Sequence, residues 1–337
     1  MARATASRQA TRAAQHAEGS LVAIRRSGAW AALCALSIAA CASAAGAQQP
    51  PPKTRAALQD EDVLTGTLLS VKQSGQIRIG YREASVPFSY LDRSGHPIGY
   101  AIELCQAIVE EIGQTIDSQS LRVSYVKVLA EDRIPAVVEN RIDLECGSTT
   151  ANAERRKLVD FSPMMFVTGT KVMVPVATPW PDFRQLKGKW IGVSRGTTNE
   201  QALRDLASKF ELQIELVQFD DHEQGFAALE AGRIDAYASD EVLLYGLIAK
   251  HNAGKTFKVA GELLSYEPYG IMFRRDEPQL RDAVTRAFQK LVVDRDFMPL
   301  YQKWFMSRLP GGERLNIPMS PQLEQSLELL KPGAEPN

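Results

Sequence analysis

The sequence is short of the residues that carry most metal and nucleophilic chemistry, with four cysteines and four histidines in 337 residues. Cys34, Cys41 and His16 fall near the start of the chain, and His96, His222 and His251 sit in unrelated segments. That scatter lacks the paired ligand spacing of a zinc site, and no Ser-His-Asp pattern stands out. No metal and no other cofactor is expected. Long apolar runs are also missing, since "AWAALCALSIAA", Ala29 to Ala40, falls short of the roughly 20 residues a membrane span needs. Nor does one sign of charge dominate, with 39 Lys+Arg against 40 Asp+Glu. Nucleic acid and anionic membrane surfaces are therefore poor partners for this chain.

What is present begins with an export signal. Residues 1–47 carry Arg3, Arg8, Arg12, Arg25 and Arg26 against a single Glu18, ahead of the short apolar run. This is the layout of a signal peptide, and "ASAAGAQQ" offers a cut after Ala47. A competing site, "SIAAC", resembles a lipobox and would leave a lipidated Cys41. "IRRSGAW" fits a twin-arginine signal poorly. Residues 48–65 open with "QQPPPKTRAALQDED", proline-rich and polar, and read as a flexible lead-in.

Export leaves two cysteines in an oxidising compartment, Cys105 and Cys146. In the helical pattern "GYAIELCQAIVEEIG", Cys105 shares a stripe with Ala101, Ile108 and Ile112. In the strand "IDLECG", Cys146 alternates with Ile142 and Leu144. Both face a core, where a disulfide is expected; two buried free thiols are the alternative.

Strand and helix patterns alternate along the rest of the chain, which argues for parallel α/β sheets flanked by helices. "QIRIGYRE" reads as a strand, 101–112 as a helix, "LRVSYVKV" as a strand and 133–139 as a short helix before "RIDLEC". "KWIGVS", "IELVQFD" and "IDAYASD" continue as strands, with helices at 222–231, 241–250 and 279–293. An internal echo links "AVVENRIDLECGSTT" (136–150) with "AALEAGRIDAYASDE" (227–241), one in each half. The echo predicts two lobes on one plan. Lobe 1 is expected over 66–172 and 270–310, lobe 2 over 173–269, and a loosely attached C-terminal tail over 311–337. The chain should cross between lobes near 170–175 and 267–271.

Polar residues gather where these strands end, the place where ligands bind parallel sheets. "ECGSTTANAERR" supplies Ser148, Thr149 and Thr150, then a helix expected from Ala151 whose N-terminus suits an anion. Arg155 adds a planar fork that matches a carboxylate. A hydroxyl N-cap with a solvated arginine is the plainer alternative. Arg82 follows the first strand at the same sheet end. "RGTTNEQ" brings Thr197 and Thr198 to a second strand-turn-helix, and Asp240 ends "IDAYAS", fit to hold an ammonium group or to cap the next helix. Two partners for carboxylates and one for an ammonium describe an acidic amino acid.

On "YREASVPFSYLD", "ECGSTTANAERR", "SRGTTNE", "FDDHEQGFAALEAGRIDAYASDEVLL" and "YEPYGIMFRRDEP", the chain resembles bacterial glutamate/aspartate periplasmic binding proteins. These are solute receptors of ABC importers, within family 3 of the extracellular solute-binding proteins. The resemblance spans roughly 66–310 and implies a type II two-lobe fold with the ligand held in the cleft. It implies that Arg155, Ser148 and Thr150, with Thr198 across the cleft, take the α-carboxylate, and that Asp240 takes the ammonium. Arg82, Arg133 and His222 would lie near the side-chain carboxylate. Where the family tends to carry a small hydroxyl residue before "DRIP", this chain has Ala130, which leaves the choice between Glu and Asp open. The implied protein is a periplasmic monomer that closes on its ligand and presents both lobes to a membrane permease, and it is not an enzyme. The alternative on the same fold is a cyclohexadienyl dehydratase, which needs a general acid such as Glu83 or Glu145.

Overall fold

The computed structural model describes residues 63–179 and 182–333. The expected signal segment, the expected cut after Ala47 and Cys41 lie outside the described residues. Among those described, no helix is long and apolar enough to cross a membrane.

The chain enters through α1 (Gly66–Ser74), β1 (Gln76–Tyr81), a meander of β2 (Ala84–Ser85), β3 (Ser89–Leu91) and β4 (Pro97–Ile98), and the long α2 (Tyr100–Thr115). Next come β5 (Arg122–Lys127), α3 (Arg133–Val138), β6 (Leu144–Glu145), β7 (Val159–Phe161) and β8 (Phe166–Thr168). The second sheet's elements follow as β9 (Thr170–Pro175), β10 (Trp190–Ser194), α4 (Thr198–Lys209), β11 (Glu215–Phe219), α5 (His222–Glu230), β12 (Ala236–Asp240), α6 (Glu241–Lys250) and β13 (Phe257–Ala260). The chain returns through β14 (Glu267–Tyr269) to β15 (Met272–Arg274), α7 (Pro278–Val293) and α8 (Phe297–Tyr301), and ends with α9 (Pro321–Glu328).

Two sheets result. The first runs β5-β1-β6-β15-β7 and the second β11-β10-β12-β9-β13. In each, the first three strands are parallel, the fourth (β15 or β9) runs antiparallel to them, and the fifth (β7 or β13) pairs antiparallel with the fourth. Parallel strands buried on both faces need apolar residues throughout, and Ile77, Ile79, Ile191 and Val193 are fully buried. The echo noted in the sequence is structural. Gly80 and Gly192 occupy matching places on β1 and β10, where an added Cβ would strike Ile142 Cδ1 at 2.4 Å and Ile234 Cδ1 at 2.6 Å. Each isoleucine belongs to an Arg-Ile-Asp step.

Cys105 on α2 and Cys146 just past β6 form a disulfide. Both sulfurs sit in the first core, beside Ile108, Ile112 and Leu144.

Three expectations need correction. The segment 170–175, expected as a crossing, is β9, a strand of the second sheet; the chain leaves the first sheet through β8. That strand pairs antiparallel with β14, so the outward and return passages form one short ribbon. No α-helix opens at Ala151. Thr150 bridges to Tyr269 and Ala151 N–H donates to Pro268 O at 2.7 Å, which holds the segment extended along the return strand. Helix geometry is confined to a single 3₁₀ turn, Arg155–Lys157, started by Asn152 Oδ1 accepting Arg155 N–H at 2.9 Å. The C-terminal segment, finally, is attached firmly. Leu323 and Leu327 are buried in the first core, Leu315, Ile317 and Met319 pack against it, and Ile317 N–H donates to Phe305 O.

Candidate functional site

The polar strand ends meet between the sheets, and the first sheet brings cations. Arg82 follows β1 and is 2% exposed; its main-chain N–H donates to Ser89 Oγ at 2.9 Å. Arg133 opens α3, equally buried, and donates through Nη1 to Ser148 O at 3.3 Å, while its Nε has no partner. Arg155 donates to Thr150 O at 3.1 Å and to Gly196 O, on the second sheet's side, at 3.4 Å. Gly147 makes room: a Cβ there would lie 2.3 Å from Glu145 Oε1 and 3.0 Å from Arg82 Cγ.

None of these guanidinium groups forms an ion pair with a carboxylate among the described residues. Burial, with Arg133 as second cause, lowers the pKa of Arg82 to about 10 and that of Arg155 to about 9. A buried charge without a partner is costly, and an entering anion would relieve that cost. Glu145, wholly buried nearby, accepts from Thr149 at 2.7 Å through Oε2, and its Oε1 is unpartnered.

The second sheet brings hydroxyls, a carboxylate and a neutral imidazole. Thr197 caps α4, its Oγ1 accepting Glu200 N–H and donating to Ser194 O at 2.7 Å, so this hydroxyl is spent locally. Thr198 faces Thr150 across the cleft, with 3.4 Å between their oxygens. Asp240 is 4% exposed and makes no capping bond to α6, which removes the simpler explanation for it. Its Oδ1 accepts Asn199 Nδ2 at 2.8 Å, and its Oδ2 accepts the Tyr269 hydroxyl. Burial and then the charge of Glu267 push the Asp240 carboxyl above its ordinary range.

His222 begins α5, but Asp221 supplies the cap. The ring is buried, with Nδ1 2.9 Å from Tyr237 Oη and 3.3 Å from Ser194 Oγ. Burial first, then Arg82 and Arg133, bring its pKa down to about 3. The ring is thus neutral at physiological pH, a donor-acceptor rather than a cation.

The lobes touch around this cluster. Arg195 meets Glu131 at 3.7 Å. A Cβ on Gly196 would lie 2.7 Å from Glu131 Cα, and one on Gly246 would lie 2.2 Å from Val86 O. Arg82, Arg133, Ser148, Thr150, Arg155, Thr198, His222 and Asp240 therefore converge, while the Thr197 hydroxyl is used in the cap of α4. Sequence reasoning missed Asn199, Tyr237, Tyr269 and Glu267. Tyr237 had a signal, a phenol two residues after the Arg-Ile-Asp step in a fully buried strand. In the sequence Glu267 carries no signal beyond its place in an expected crossing.

Residues 77–307 match the family model described as bacterial extracellular solute-binding proteins, family 3. The chain is 38% identical over 266 residues to an L-glutamate/L-aspartate-binding protein of Pseudomonas aeruginosa, covering 78% of this chain and 88% of that one. It is 33% identical over 271 residues to a glutamate/aspartate import solute-binding protein of Escherichia coli K12, covering 80% and 88%. Among solved structures, an ancestral amino acid-binding protein, a precursor of cyclohexadienyl dehydratase, superposes with a TM-score of 0.61 at 27% identity, covering 71% of this chain and 99% of that one.

Proposed function

This chain belongs to the family 3 bacterial extracellular solute-binding proteins, and on that premise we propose that it is a receptor for acidic amino acids, glutamate or aspartate. The observation that carries this reading is the trio Arg82, Arg133 and Arg155, buried together, without ion-pair partners among the described residues, opposite the carboxylate of Asp240. Arg155 takes the α-carboxylate, with Ser148 and Thr150 around it and the free first-turn N–H groups of α4 at Thr198 across the cleft. Asp240 takes the ammonium. Arg82 and Arg133 take the side-chain carboxylate, and neutral His222 stands beside them as a hydrogen-bonding group.

Ligand contacts from both lobes favour the closed arrangement, and differential affinity for closed over open sets how far the equilibrium moves. The closed receptor then delivers its ligand to the permease of an ABC importer. On this reading the mature protein works in the periplasm as a monomer, whether freed after Ala47 or held by Cys41. Binding rather than catalysis suits the groups present. Glu83 is paired with Lys127 at 2.6 Å on the surface, and one oxygen of the buried Glu145 carboxyl accepts from Thr149.

Calorimetry of the mature protein with Glu, Asp, Gln and Asn tests the reading. Tight binding of the acids with weaker binding of the amides is expected. No heat or thermal shift with any of the four, together with turnover of prephenate or arogenate, overturns it.

A further inference from the structure

Hydroxyls from both sides of the cleft converge on one buried carboxylate. Thr150 Oγ1 lies 2.6 Å from Glu267 Oε2, and Thr198 Oγ1 lies 2.7 Å from the same oxygen. Ser265 Oγ donates to Oε1 at 2.6 Å. Glu267 is 2% exposed and sits on β14, the return strand between the sheets. An ionised carboxylate only accepts hydrogen bonds, and a threonine hydroxyl has one proton to give. Each threonine thus directs its proton at Glu267 and leaves lone pairs for anything else in the cleft. Hydroxyls held this way are poor donors to a ligand carboxylate and good acceptors for an ammonium group.

Asp240 belongs to the same end. Its oxygens are oriented by Asn199 and Tyr269, and a carboxylate retains lone pairs after two such bonds. Two buried carboxylates in mutual repulsion are stabilised by a cation placed between them.

We propose that Glu267 is a positioning residue for ligand recognition: by fixing the proton direction of Thr150 and Thr198, it makes this end of the cleft specific for an ammonium group. The inference rests on the acidic amino acid reading and revises one part of it, the place of the Thr150 hydroxyl beside the α-carboxylate. The α-carboxylate is left to Arg155 and main-chain N–H groups, and the two threonine hydroxyls serve the ammonium beside Asp240.

The test compares L-glutamate with glutarate, which keeps both carboxylates and lacks the ammonium, on wild type, Glu267→Gln and Thr198→Val. Calorimetry measures the first ligand, and displacement at millimolar concentration measures the second. In Glu267→Gln, glutamate affinity is expected to fall about tenfold or more, the scale of a hydrogen bond to a charged group. Glutarate affinity should change by no more than about twofold, as for a substitution away from the contact. Thr198→Val, which removes one oriented hydroxyl and keeps Glu267, should contract the same ratio by a smaller factor. It decides the matter alone if Glu267→Gln does not fold. Equal losses for both ligands would mean that Glu267 only supports the structure, and would overturn the proposal. Wild type that binds glutarate as well as glutamate would overturn it too. Failure of wild type to bind either ligand would remove the acidic amino acid reading and this assignment with it.

Discussion

In the first sheet, Asp143 accepts Arg78 N–H, in the middle of β1, at 2.8 Å; in the second, Asp235 accepts Trp190 N–H, at the start of β10, at 2.9 Å. Gly80 and Gly192 then leave room for Ile142 and Ile234. Two residues further on, the plans part. Arg82 stands after Gly80, and Ser194 stands after Gly192. Across the parallel ladder, Gly80 faces Glu145 while Gly192 faces Tyr237. The shared plan therefore extends through the strands and stops at their ends. One sheet finishes in three guanidinium groups beside the hydroxyls of Ser148 and Thr150 and the carboxylate of Glu145, the other in hydroxyls, an imidazole and the carboxylate of Asp240. A dipolar ligand is matched by two copies of one scaffold whose rims carry different chemistry.

The comparison can be broken first at the two aspartates. Asp143 is 2% exposed and also holds Arg78 at 2.7 Å and Arg274 at 3.0 Å. Asp143→Ala should cost about 3 kcal/mol or more of unfolding free energy, the scale of breaking a buried ion pair. The Asp235 side chain is 39% exposed, with Lys189 at 3.2 Å, and Asp235→Ala should cost about 1 kcal/mol. Urea unfolding of both variants measures the gap, and equal losses would mean that the two caps carry equal weight.

Ligand binding sharpens the contrast next. Arg155→Ala should weaken every amino acid ligand by about 2–5 kcal/mol, because all present an α-carboxylate that would be left desolvated and unpaired. Arg82→Ala should weaken Glu and Asp by about tenfold or more, a charged hydrogen bond's worth, and Gln and Asn much less. Equal factors for Glu and Gln in calorimetry would refute that division of roles.

The smallest effect concerns His222. Its native pKa lies near 3, below the ordinary 6.5, so the unfolded chain takes up a proton that the native chain refuses. Stability should therefore fall as pH drops below about 6.5, by up to about 1.4 kcal/mol per pH unit from this group. Denaturation curves at pH 7 and pH 5 should show His222→Gln losing less than wild type over that interval. A variant as sensitive as wild type would place the effect elsewhere.

Local patterns carried the fold. Alternation in "QIRIGY" and "KWIGVS", the stripe through Cys105 and the repeated Arg-Ile-Asp step all depend on neighbours within one element, and each is legible from spacing. What could not be read depends on partners far along the chain. Thr150 meets Glu267 across a separation of 117 residues. The bond from Ala151 to Pro268 overrides a local helix signal. The apolar positions of the C-terminal segment matched a tail until the first core offered them a surface. Arg155 and Arg82 are legible as strand-end cations, whereas Arg133 enters only through the resemblance, because alone it has the local signature of a surface residue. Asp240 was legible as a strand-end carboxylate, and Glu267 was not, because its partners come from two different elements.

The ribbon of β8 and β14 has a mechanical consequence. Thr168, Val167 and Phe166 are in register with Glu267, Pro268 and Tyr269, so the outward and return passages are fastened to each other along their length. Sliding one lobe past the other would tear that ladder, while bending it leaves the hydrogen bonds intact. The joint is compliant in flexure and stiff in shear. Opening and closing are thereby restricted toward a rocking motion about one axis, so the facing rims come back into the same register at each closure.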